Sequence, residues 1–206
     1  MISISNKEWS ERIFDNNRVD KCSQDNEFSQ ILSKLVISRK FNDEEIHSIN
    51  NPDSIIFSNV FRFNIDFKNA VKLVSDVIDR KGKICIFGDY DVDGSCATAL
   101  IIKFFKSIDH PHFYLIPDRE KDGYGLNVKL VKKIIKEQPK LIIMVDNGSN
   151  STKEINLLKE NKINTLVIDH HQINEPFPKA NVIINPKKNN GYIENDYMCA
   201  TLLTFF

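Results

Sequence analysis

Three carboxylates alternate in Asp89-Tyr90-Asp91-Val92-Asp93-Gly94, directly after the apolar run Ile84-Cys85-Ile86-Phe87. Like charges at that spacing raise one another's pKa and oppose folding unless a cation neutralises them. A divalent metal is the natural partner. The pattern recurs downstream: Phe113–Pro117 is followed by Asp118 and Arg119, Leu141–Val145 by Asp146, and Thr165–Ile168 by Asp169, His170 and His171. Asp91 and Asp93 can be aimed at one metal pair by a turn into the next helix; Asp146 can bridge two ions, and His170 can add a nitrogen ligand. Carboxylate mixed with imidazole suits manganese, less strongly magnesium or iron, and zinc less without thiolates. Two ions about 3.5–4 Å apart orient a water and stabilise charge on a phosphoryl group, so phosphate-ester hydrolysis is the expected chemistry. The competing reading is plain capping, because Asp after a strand often caps the following helix; Asp118, Asp146 and Asp169 taken singly fit either role. The triple acid together with Asp169-His170-His171 favours a site. Asp89 stays open between a third ligand and an acceptor behind the ligands. His47, His110 and His112 lie off this edge and read as surface or packing residues, and no glycine run fits a phosphate loop followed by Lys.

The elements that must position these groups follow from periodicity. Short apolar runs bounded by polar residues read as buried strands. Between them, Gly94–Ile108, Asn127–Glu137 and Ser151–Asn161 read as helices. Strand–helix alternation from Lys83 to about Asn185 implies parallel strands with right-handed crossovers, whose carboxyl ends share one edge. The expected fold is therefore α/β, a parallel doubly wound sheet over residues 81–206, preceded by a helical N-terminal segment. That segment, residues 1–80, is expected to pack on the core; its clearest helices are Phe28–Ser38 and Phe67–Ile78, the latter stopped by Lys81-Gly82. Asn50–Asn64 reads as connector and Asn185–Gly191 as loop. The 206 residues carry 28 Lys+Arg against 28 Asp+Glu, so net charge gives no nucleic-acid signature. No apolar run approaches the roughly 20 residues of a membrane span, and MISISNKEWSER lacks a signal-peptide core, so the expected compartment is the cytoplasm. Cys22, Cys85, Cys96 and Cys199 are widely spaced and read as buried free thiols. The last residues, Thr201–Phe206, stop inside an apolar pattern, as a truncated chain would.

GDYDVDG, IPDREKDGYGLN, VDNGSNS and IDHH, in this order, resemble the DHH phosphoesterase superfamily. IPDR with GYG is similar to its RecJ-type branch of single-strand-specific 5′ to 3′ exonucleases, as are WSERIF, ISRKFNDEEI and DFKNAV upstream and NPKKNNGY downstream. The resemblance covers nearly the whole chain. It implies metal binding by Asp91, Asp93, Asp146 and His170, with manganese or magnesium, two ions, as cofactor. His171 would lie near the scissile phosphate, making it and Asp89 the expected catalytic residues. Arg119 would hold a substrate phosphate, and Tyr124 would stack on a base. The implied partner is single-stranded DNA, with a single-strand-binding protein or a helicase as candidate protein partners in repair or recombination, and no membrane. Asn147 stands where the family has Cys, a small change. Met198-Cys199-Ala200-Thr201 lacks the family's helix glycines, and a further metal-binding Asp and a second domain have no counterpart, which implies weak activity for this chain alone. Two rivals remain: an oligonucleotide or cyclic-dinucleotide phosphodiesterase, disfavoured by the helical lead-in and IPDR, and a catalytically silent binding module, disfavoured because all four transferable ligands are intact.

Overall fold

The computed structural model describes residues 4–8, 10, 12–51, 64–188 and 198–206. Trp9, most of the expected connector and the end of the expected 185–191 loop lie outside the described residues. The chain divides into two compact units, Met1–Ser58 and Asn59–Phe206.

The first unit is helical. Its helices are α1 (Asn16–Asn26), α2 (Gln30–Ser38) and α3 (Asp43–Asn50). Each begins at a side chain that accepts an otherwise orphaned N–H: Asp15, Ser29 and Asn42, the last in a reciprocal capping box with Glu45. Because Ser29 caps α2, the helix starts two residues after the Phe28 expected from periodicity, and Phe28 instead packs in a small core with Val19, Cys22, Val36, Ile37 and Ile46.

The second unit opens with α4 (Ile65–Asp79). The expected boundary at 80/81 thus differs from the division at 58/59, because Ala70 and Val77 of α4 are part of the core on one face of the sheet. The helix stop falls where expected, but Lys81 (φ 53°) rather than Gly82 takes the left-handed conformation. There follow β1 (Ile84–Phe87), α5 (Val92–Ser107), β2 (His112–Leu115), α6 (Val128–Lys136), β3 (Leu141–Val145), α7 (Thr152–Glu160), β4 (Asn164–Ile168), β5 (Val182–Ile184) and α8 (Ala200–Phe205). Asn127 caps α6 through the Leu130 N–H, which places this residue and Glu137 just outside the helix expected to include them.

All five strands are parallel, in the order β2-β1-β3-β4-β5. Strands β1, β3 and β5 are buried at every position, which is why they read as unbroken apolar runs. Alternate side chains feed two cores. Ile84, Ile86, Ile143, Val145 and Ile168 face α4, α5 and α8, while Cys85, Phe87, Ile142, Met144 and Val167 face α6 and α7. Phe87 pairs with Leu115 and Met144, Val145 with Ile168, and Ile168 with Ile184, so the carboxyl ends lie level. From β1 the chain goes outward to β2 and then returns to the other side as β3, so the topological switch point lies between β1 and β3. That crevice is where open α/β sheets bind ligands.

The thiols depart from expectation in half the cases: Cys22 and Cys85 are buried, but Cys96 and Cys199 are exposed, all four free. Cys96 falls on the solvent side of α5, next to fully buried Ala97, and Cys199 sits at the N-cap of α8. Of the histidines set aside as surface or packing residues, His47 is exposed, while His110 bonds the Gly82 carbonyl (2.9 Å) and stacks beside Phe105 (5.4 Å).

Candidate active site

The loops after β1, β3 and β4 hold the acids and imidazoles by extending the strand ladder one residue past each strand. Gly88 N–H donates to the Leu115 carbonyl (3.2 Å), Asp146 N–H to Ile168 (2.9 Å) and Asp169 N–H to Ile184 (3.0 Å). Asp91 is the N-cap of α5, its carboxylate accepting from Gly94 N–H at 2.9 Å. Gly94 is required there: a Cβ would sit 2.6–2.8 Å from Asp89 Cβ, N and Cα, so only glycine lets α5 begin this close to the acid loop.

Asp146 is the centre of the arrangement. One ligand atom from each of Asp89, Asp91 and Asp146 lies within 4.8 Å of the others, and the same holds for Asp146, His170 and His171. Asp146 is 1% exposed, its backbone is left-handed (φ 61°), and neither carboxylate oxygen has a hydrogen-bond partner. His170 Nε2 is 3.2 Å from Oδ1 but is not aligned for a hydrogen bond. Burial, then the charges of Asp93 and Asp91, push the Asp146 carboxyl up to about 8. Two orphaned, buried carboxylate oxygens between further acids and a ring nitrogen fit a cation. They do not fit a cap, the bland role open to this residue, because they accept from no N–H. Burial likewise pushes Asp89 up, partly opposed by the Tyr90 N–H that it accepts at 2.8 Å.

His170 and His171 are set differently by their partners. Burial, then the charge of His171, hold His170 below the usual histidine range, so at neutral pH it carries a lone pair for a cation. The hydrogen bond from His171 Nδ1 to Asp169 (2.7 Å) is the main cause that raises His171. Asp169 is buried, which alone would raise its carboxyl, but bonds from the His171 ring (2.7 Å), from Ser149 through its side chain and its N–H (3.0 Å), and from the His171 N–H (3.2 Å) hold it down at about 2. An ionised carboxylate only accepts, so the Nδ1 of His171 carries the proton and Nε2 stands free of that bond, 3.4 Å from the Tyr124 hydroxyl.

Asp93 lies outside both ligand groups. Its Oδ2 is 3.6 Å from His170 Nε2, yet its two oxygens accept the Ala200 and Thr201 N–H groups of α8, both at 2.8 Å. Burial pushes this carboxyl up, and those bonds together with the Thr201 hydroxyl bring it below the ordinary range. Tyr124, 56% exposed, meets His171 edge-on (5.8 Å between rings), with its hydroxyl 3.3–3.4 Å from the ring nitrogens and 3.4 Å from the Asp146 carbonyl. Burial, then the surrounding acids, raise its phenol, so it stays protonated. Tyr124 and His171 also form one wall of a cleft of ≈ 230 Å³ whose other wall is Asn147–Ser151. Arg119 stands outside the cluster, over the Tyr90 ring at 5.4 Å. Asp118 organises its own turn instead, accepting from Glu120 and Lys121 N–H.

One participant is not singled out by the sequence, and another has no role assigned by it. Asn185, 0% exposed, donates to Ser149 Oγ (2.8 Å) and the His171 carbonyl (2.9 Å) and accepts Lys187 N–H (2.8 Å), tying together the loops after β3, β4 and β5. Its signal was available, since Val182-Ile183-Ile184-Asn185 repeats the pattern of an apolar run ending in a polar residue. Asp169, which alone fits a cap and beside His170 and His171 a site, orients His171.

Fold and site define an open α/β domain whose acids and imidazoles gather at its switch point. The chain belongs to the DHH family: residues 83–205 match the family described as "DHH family, N-terminal domain". Among curated proteins it is similar to the single-stranded-DNA-specific exonuclease RecJ of Haemophilus influenzae, 37% identical over 120 residues, 58% of this chain and 21% of that protein. The RecJ of Bacillus subtilis is 26% identical over 185 residues, 89% of this chain and 23% of that one. The chain thus spans about a fifth of the length of the curated relatives it matches. Among solved structures, exonuclease RecJ bound to manganese superposes with a TM-score of 0.63 at 25% identity, over 68% of this chain and 35% of that one. RecJ of Thermus thermophilus in complex with Mn2+ gives 0.64 at 17% identity over 95% of this chain and 27% of that one, a likeness of fold.

Proposed function

We propose that this chain carries the metal-binding half of a 5′ to 3′ exonuclease active site that hydrolyses phosphodiester bonds in single-stranded DNA. The observation that carries the reading is Asp146: two buried, unpartnered carboxylate oxygens at the β1/β3 switch point, between Asp89 and Asp91 on one side and His170 and His171 on the other. Asp91, Asp146 and His170 would hold manganese, or magnesium, with Asp93 and Asp89 alongside and room for two ions. When bound, such ions lower the pKa of a water and neutralise charge gathering on a phosphoryl group. The side chains do the rest. His170 offers a neutral ring nitrogen. His171, its proton held at Nδ1 by Asp169, presents Nε2 for proton exchange with the reacting phosphate. Arg119 binds a phosphate of the strand through its guanidinium edge, and Tyr124 offers an exposed ring face to a base.

Single-stranded DNA is favoured as substrate by the relatives above, whose names specify it. A single-strand-binding protein or a helicase would supply that strand, in the cytoplasm; among the described residues no helix is long and apolar enough to cross a membrane. The test is incubation with manganese and, in parallel, 5′-labelled single-stranded DNA, the same sequence as duplex, and a dinucleotide. Single-stranded DNA should be cut first, from its 5′ end. Preference for the dinucleotide would overturn the exonuclease reading in favour of a short-substrate phosphodiesterase, and manganese binding without cleavage of any of them would indicate a binding module.

A further inference from the structure

Arg119 has no ion pair among the described residues. Two acids of its own turn are paired elsewhere, Asp118 with Lys121 (3.1 Å) and Asp122 with Lys129 (2.9 Å). What Arg119 does meet is Tyr90, with the guanidinium carbon 5.4 Å from the ring centroid. Tyr90 is the residue between Asp89 and Asp91. It is partly buried, and its N–H is tied to the Asp89 carboxylate at 2.8 Å, so the ring is anchored in the acid loop itself.

We propose that Tyr90 is a positioning residue for substrate: its ring holds the Arg119 guanidinium over it by a cation–π contact beside the acid loop, ready to meet a phosphate of the strand. The inference rests on Arg119 being a phosphate contact, as read above. A stacked guanidinium lays its face on the ring and keeps its edge N–H groups for two phosphate oxygens, so stacking and phosphate binding do not compete. A long exposed side chain otherwise gives up rotamer freedom when it binds. Pre-orientation removes part of that loss and shows as tighter binding. A lysine has no planar face or fork and would gain little from the same ring.

The test uses the full chain and a 3′-labelled single-stranded oligonucleotide, followed by fluorescence anisotropy without added divalent metal so that no strand is cut. Tyr90→Leu should weaken binding roughly two- to fivefold, the range of an exposed cation–π contact. Tyr90→Phe should bind like the parent. Arg119→Ala should weaken binding and flatten its salt dependence by about one phosphate contact, and Arg119→Lys should not restore it. The double variant Tyr90→Leu/Arg119→Ala should bind no more weakly than Arg119→Ala alone. Normal binding by Tyr90→Leu beside a weakened Arg119→Ala would overturn the positioning role. So would a double variant weaker than either single one, which would put Tyr90 itself on the strand. Normal binding by Arg119→Ala would overturn the phosphate reading along with it. Manganese should raise the melting temperature of Tyr90→Leu as it does the parent's; loss of that rise would make Tyr90 a support for the acid loop and sink the proposal.

Discussion

Asparagine at position 146 should make the metal-free protein more stable while removing its response to manganese. The Asp146 carboxyl is pushed up to about 8, chiefly by burial and then by Asp93 and Asp91. An unfolded carboxyl titrates near 3.9, and each pKa unit is worth about 1.4 kcal/mol. The folded chain holds this proton more tightly than the unfolded one. Stability from Asp146 is therefore complete below about pH 3.9 and is lost as pH rises through about 8. At pH 7 the ceiling on that loss is about 4 kcal/mol, some three units' worth. Asp91 is exposed and both histidines are partly so, so water reaches the cluster and screens it. About half the ceiling, near 2 kcal/mol, is the expected gain for Asp146→Asn at neutral pH. For a chain of this size that is a rise of roughly 4–8 °C in Tm. At pH 4 the two proteins should melt together. Manganese should then reverse the ranking, because it stabilises only the folded parent, by about 2.7 kcal/mol at a hundredfold excess over Kd. Thermal melts at pH 4 and 8, with manganese or with chelator, read all of this. A variant less stable than the parent at pH 8 without metal, or one equally stabilised by manganese, would refute the placement of an orphaned charge at the centre of the site.

Asp169→Asn should cut hydrolysis roughly hundredfold or more while leaving manganese stabilisation intact, because its amide nitrogen must set a donor against either the Ser149 N–H or His171 Nδ1 and the charge that raises His171 is gone; paired activity and melting measurements check it. Tyr124→Phe should bind single strands like the parent and Tyr124→Ala should lose about 1–3 kcal/mol, if the exposed ring carries a base; equal losses in titration would point to the hydroxyl near His171 instead. Gly94→Ala should destabilise by about 1–3 kcal/mol in denaturant melts, since the added Cβ meets Asp89 backbone atoms at 2.7–2.8 Å that cannot swing aside. An unchanged midpoint would show that the start of α5 can shift.

The sheet and its edge were legible because parallel strands buried on both faces leave a simple mark. Ile84–Phe87 and Leu141–Val145 were readable to the residue. The next residue along each run, polar and unable to be buried without a purpose, named the edge. Strand β5 was harder, since Val182–Ile184 is only three residues long and too short for periodicity to speak. Which Asp caps and which faces the site was invisible for a different reason: it depends on the backbone turn after each strand. Asp91 proved to be both cap and cluster member, and Asp146, in left-handed backbone, caps nothing. Arg119 and Tyr124 are legible only through motif resemblance. Their actual neighbours, Tyr90 and His171, come from other loops that no local spacing relates. Nothing within the local sequence of Asp93 could show that its oxygens are engaged by Ala200 and Thr201, over a hundred positions away.

That engagement of Asp93 makes one carboxylate answer to two masters. Both oxygens hold the first N–H groups of α8, and Oδ2 also stands 3.6 Å from His170 Nε2, so an ion that drew on that oxygen would do so at the helix's expense, and the reverse. Free energy of this kind is reciprocal: if seating an ion loosens α8, then loosening α8 must favour the ion by the same factor. Amide exchange at Ala200 and Thr201 would then double as a gauge of what sits at the crevice, and a change in α8 would adjust the site's appetite for cations.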